Sequence, residues 1–76
     1  MIKYKIYLNK QPVTKENATI FQQHFPLVVP HLQAEDGIAF LTMQNQHKFN
    51  ELMSHVPREC FTKLEPKKEI WFWKPD

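Results

Sequence analysis

Residues 2 to 8 alternate strictly, with Ile2, Tyr4, Ile6 and Leu8 on one side and Lys3, Lys5 and Tyr7 on the other. That period of two predicts a strand with one buried face. Asn9 to Pro12 read as a loop. Thr14 is placed to cap a helix with Val13 stapled onto Ala18, and the helix runs to about Phe25, where Pro26 stops it. Ala18, Phe21 and Phe25 form its apolar side. Leu27 to Leu32 has strand composition, but Pro30 cannot donate to a ladder and assigns this strand to a sheet edge. Glu35-Asp36-Gly37 supplies turn chemistry into a further strand from Ile38 to Met43, so residues 27 to 43 read as a hairpin. Asn45 caps a second helix, in which Phe49, Leu52, Met53 and Val56 fall at i, i+3, i+4 and i+7 before Pro57. Cys60 to Leu64 and a turn at Glu65 to Lys68 lead to Ile70-Trp71-Phe72-Trp73, the most apolar strand candidate.

The resulting order is β-α-β-β-α-β within a single domain spanning residues 1–76. This is the ferredoxin-like arrangement of the α+β class: a four-stranded antiparallel sheet with two helices on one face. A chain of 76 residues buries only about 60 to 65% of the surface its unfolded form exposes, so stability is modest. Hydrophobic residues at 42% exclude a disordered tail, and a net charge of +2 advertises neither a strong polyanion binder nor an acidic mimic of nucleic acid. The lone Cys60 cannot form an internal disulfide and points to a reducing compartment, with the cytoplasm as default. No apolar run is long enough for a membrane span, and the alternating start offers none for a signal peptide.

Within Asp36-Gly37-Ile38-Ala39-Phe40-Leu41-Thr42-Met43, a glycine opens an alternating aromatic and apolar strand. The segment resembles the third strand of an RNA-recognition motif, K/R-G-F/Y-G/A-F-V-x-F/Y. Gly37, Ala39 and Phe40 fit it and Leu41 fits conservatively, while Asp36, Ile38 and Met43 depart from it. Ile6-Tyr7-Leu8 is similar to the core of the family's other motif, with Asn9 one position early. The resemblance is thus to a degenerate member, and it implies an open sheet on which RNA bases stack. Tyr7 and Phe40 match the stacking positions, and Ile38 replaces the third aromatic. Parity of the last strand adds Trp71 and Trp73, while Lys3, Lys5 and Lys74 supply cations for phosphates. Arg58 is the only arginine, so bidentate phosphate contacts are scarce.

The expected function is therefore a non-catalytic module that binds single-stranded RNA through Lys3, Lys5, Tyr7, Phe40, Trp71, Trp73 and Lys74. The alternative is a protein-protein interaction module, such as a small adaptor or an inhibitor of a host enzyme encoded by a mobile element. Aromatics are enriched at protein interfaces too, and Asp36 and Ile38 favour that alternative. An ordinary structural role for Tyr7 and Phe40, with the face covered by a partner or the tail, also stays open. His24, His31, His47 and His55 lack metal-ligand spacing, so neither a metal nor a cofactor is expected. Glu35, Asp36, Glu65 and Glu69 read as solvated turn charges rather than acid and base. Cys60 reads as a small buried thiol without a nucleophile's surroundings. No phosphate-cradling glycine loop exists, since Gly37 is the sole glycine.

Overall fold

A computed structural model of the chain describes residues 1–74. Its elements are strands β1 (Ile2–Leu8), β2 (Gln11–Pro12), β3 (Leu32–Glu35), β4 (Ile38–Met43), β5 (Phe61–Leu64) and β6 (Glu69–Phe72), with helices α1 (Ala18–His24) and α2 (Gln46–Met53). The five longer strands form one sheet in the order β3-β4-β1-β6-β5, and β2 pairs with β1. The class is α+β, as alternation and helical stripes lead one to expect, but the sheet is neither four-stranded nor wholly antiparallel.

The difference arises at the C-terminal end. Residues 61 to 64, read from sequence as a connection, form β5 at the outer edge of the sheet. The turn after it sends β6 back between β5 and β1, so β6 runs parallel to β1, with Ile6 opposite Ile70 and Tyr7 opposite Trp71. Interposing one strand reverses the direction of the next. The turn is fastened to β1: the Lys5 amide donates to the Lys68 carbonyl at 2.9 Å, and the Tyr4 hydroxyl donates to the Glu65 carboxylate at 2.6 Å.

Three further boundaries differ from the sequence reading. Asn9 and Lys10 both have positive φ (50° and 70°) and fold the chain straight back as β2, which places Gln11 opposite Leu8. Val13 consequently enters the sheet, taking a hydrogen bond from Ala39 and giving one to Ile6, instead of stapling a helix. The helix then begins at Ala18 rather than near Thr14, and Ala18 itself is exposed. Val29–His31, containing Pro30, is a turn of 3-10 helix, so the edge strand begins at Leu32. The β3–β4 hairpin closes through Asp36 and Gly37, whose φ values of 52° and 79° match a two-residue turn with both centres left-handed.

The second helix starts at its expected cap but ends at Met53 instead of reaching Pro57, so Val56 is buried from the turn that follows it. The Asn45 side chain accepts from the Lys48 amide at 2.9 Å, and Phe49, Leu52 and Met53 are buried. Phe49 packs on Tyr4 of β1, while Phe21 and Phe25 pack on Phe72 of β6. Tyr4, Leu8 and Phe72 share one side of the sheet, so both helices cover that side and the other is left open. Tyr4 and Cys60 aside, no side chain with a polar or charged group is buried among the described residues.

Candidate binding face

Because cross-strand partners point to the same side, the register lists what the open face displays. One row runs Gln33, Phe40, Lys5, Glu69 and Leu64 from β3 to β5. The next contains Tyr7, Trp71 and Thr62, and an outer row pairs Lys3 with Thr42. Tyr7, Phe40, Trp71 and Trp73 are all partly buried, so their rings line a surface instead of a core. Lys3, Lys5, Tyr7, Phe40 and Trp71 therefore share the open side, as alternation predicts.

Tyr7 and Trp71 stack on each other with centroids 5.3 Å apart and planes 29° from parallel. Trp73 lies beyond, 6.5 Å from Trp71, and its backbone amide donates to Cys60 at 2.7 Å. The lysines sit on the rings: the Lys5 ammonium is 5.2 Å from the Tyr7 centroid, and that of Lys3 is 4.7 Å from Phe40. Both contacts lie in the cation–π range. Lys74 is exposed past the end of β6, where its backbone amide donates to the Asn9 side chain.

Two residues that sequence reasoning assigned to turns belong to this face. Glu69 is the first residue of β6, and its carboxylate accepts from the Tyr7 hydroxyl and from the Trp71 indole, each at 3.2 Å. Glu35 ends β3 and pairs with the Lys3 ammonium at 2.5 Å. The signal was present as parity, since Glu69 stands two residues before Trp71. With Lys3 and Lys5 set against Glu35 and Glu69, the charges of the face sum to zero.

No family model matches this chain. No curated protein or solved structure matches it either. The likeness to an RNA-recognition motif thus rests on the quoted residues alone.

The remaining candidates are scattered. His24 and His31 lie at the ends of α1 and the 3-10 turn, His47 is in the first turn of α2, and His55 follows that helix. A hollow of about 320 Å³ brings His31 and His55 together with Lys48 and Glu51. Among the described residues no group of three or more His, Cys, Asp or Glu is placed to hold a metal ion, and no helix is long and apolar enough to cross a membrane. Cys60 is buried and unpaired. Outside the face, burial and then the Glu65 carboxylate raise the Tyr4 hydroxyl from 10.0 to about 12. The same hydrogen bond holds Glu65 below the usual carboxylate range.

Proposed function

We propose that this protein is a non-catalytic binding module whose open sheet face docks on another protein. The observation that carries the reading is Glu69, which holds Tyr7 and Trp71 in one hydrogen-bonded pair and sets a carboxylate across the ladder from Lys5. A preorganised, charge-balanced aromatic surface suits a protein partner, because tyrosine and tryptophan supply large contact area at little entropic cost. A phosphate backbone gains mainly from unpaired cations. Here Lys3 is matched by Glu35, and lysine ammoniums already lie over the two rings expected to stack bases.

Single-stranded RNA is the second reading, and one observation favours it. Asn9 joins Lys74 by a hydrogen bond, so Lys10 and Lys74, both exposed, flank the end of the sheet nearest Tyr7 and Trp73. Lysines around stacked aromatics are how single strands are held without base preference.

A photo-cross-linking amino acid at position 38, beside the aromatic rows, separates the two. The control position is 20 on α1, where Ile20 is exposed. Under illumination in the native cell extract, position 38 should yield nuclease-resistant adducts that position 20 lacks and that Trp71→Ala removes. Nuclease-sensitive adducts at position 38 would show RNA to be the ligand, and the absence of any specific adduct would refute a binding role for this face.

A further inference from the structure

The edge of the sheet formed by β3 is built differently from the open face. The Ala39 amide donates to the Val13 carbonyl at 2.9 Å, away from β3, so the Ala34 and Ala39 pair is a non-hydrogen-bonded one. The amide and carbonyl of Ala34 therefore point outward, and the carbonyl of Leu32 does the same by alternation. The Leu32 amide is already occupied by the Val29 carbonyl. Among the described residues nothing packs over this edge, since Gln33, Ala34 and Glu35 are all exposed.

The side chain of Ala34 faces the helical side, where α1 stands clear of β3. Two adjoining hollows of about 240 and 390 Å³ lie there, sharing Ala18, Ala34 and Ala39 as walls. The slot exists because three alanines meet where larger residues would close it. Its only charged wall is Lys15, which is exposed and takes part in none of the ion pairs among the described residues.

We propose that this edge accepts an extended segment of a partner protein as an added strand, with an apolar side chain in the alanine slot and a carboxylate two residues away facing Lys15. The assignment follows from strand geometry. A residue paired with Ala34 would receive and return its two backbone hydrogen bonds, and its side chain would fall on the same side as that of Ala34, above the slot. Residues two positions along stay on that side and reach the Lys15 end. A second copy of the chain is a poor occupant, because four residues of edge bury far less than a stable dimer needs. This surface is separate from the aromatic face, so a protein using both would bridge two partners.

The test uses two acetylated seven-residue peptides that alternate Thr with Val, one carrying Glu and the other Lys in place of one Val. Each is titrated to millimolar concentration into the full chain while backbone amide NMR shifts are followed. The Glu peptide should shift the amides of Gln33 to Glu35 and of Ala18, and should bind about threefold tighter than the Lys peptide, the weight of one exposed ion pair. Lys15→Glu should reverse that order. N-methylation of the central peptide amide should weaken binding about tenfold through the lost backbone hydrogen bond. Ala34→Pro should do the same, because it removes an N–H the sheet does not use. Absence of shifts in residues 32 to 35 with both peptides, or unchanged binding after N-methylation, would overturn the proposal. Shifts confined to Tyr7 and Trp71 would do so as well, by assigning the peptides to the open face.

Discussion

The hydrogen bond from Tyr4 to Glu65 fastens the β5–β6 turn onto β1, and its removal tests how the parallel strand is held. Tyr4→Phe keeps the ring, which lies 5.2 Å from Phe49 and is buried, and deletes only the hydroxyl that reaches Glu65 at 2.6 Å. A hydrogen bond to a charged group contributes about 1.5 to 3 kcal/mol. The Glu65 side chain is 42% exposed, so solvent screening places the expectation below that range, at about 1 kcal/mol. Tyr4→Phe, Glu65→Ala and the double variant form a cycle whose coupling, from urea midpoints at neutral pH, should be near that value. The pH dependence has a definite sign. Because folding lowers the Glu65 pKa below its ordinary 4.5, the contribution is fully present above that value and is lost as pH falls through the lower folded one. A coupling within about 0.3 kcal/mol of zero at neutral pH would refute the idea that this contact holds the turn.

At the alkaline end the Tyr4 hydroxyl, raised from 10.0 to about 12, contributes stability that is complete below pH 10 and lost as pH rises toward 12. Tyr4→Phe should flatten that limb of the unfolding curve. Leu52→Ala removes a buried side chain from the stripe of α2 and should cost about 2 to 4 kcal/mol, read as a lowered denaturant midpoint; an unchanged midpoint would show that this helix does not seal the core. Gly37→Ala meets no atom within 4 Å but must hold φ at +79°, so a loss of about 1 kcal/mol from backbone strain alone is expected. Glu69→Gln leaves two lysines against one carboxylate on the open face, and retention on single-stranded RNA at low salt should rise severalfold. No change would mean that charge balance is not what sets the affinity of this face for polyanions.

Elements whose evidence is periodic were legible in the sequence. The alternation of residues 2 to 8 and the stripe from Phe49 to Val56 both reflect one buried and one solvated side, and both elements formed, the helix ending at Met53 with Val56 buried just beyond it. Elements made by pairing alone were not. Strand β5 is a four-residue edge in which Thr62 and Lys63 are both exposed, so no alternation marks it, and its turn is defined by contacts to Tyr4 and Lys5 some sixty residues away. Val13 was misassigned for a related reason. Two residues with positive φ at Asn9 and Lys10 reversed the chain earlier than their types announce, which turned an apolar helix staple into a sheet residue.

The open face withstood these errors because parity is insensitive to strand direction. Reversing β6 changes which residue lies opposite Tyr7 but not which side Trp71 occupies, since successive side chains alternate whether the pairing is parallel or antiparallel. The aromatics were therefore placed on the open side by a topology that was right in class but not in the number and direction of its strands, whereas the acids beside them were assigned to turns. Glu35 and Glu69 adjoin turns, and a carboxylate next to a turn has the same local sequence whether it ends in water or in the first position of a strand. The distinction comes from the neighbouring strand, where Lys3 meets Glu35 and the Tyr7 hydroxyl meets Glu69. Partner chemistry at such a face is decided by these long-range pairings. A list of its lysines and aromatic rings describes a polyanion site, and the same list with two carboxylates restored describes a neutral surface with its rings held in place, the ground for proposing a protein as its partner.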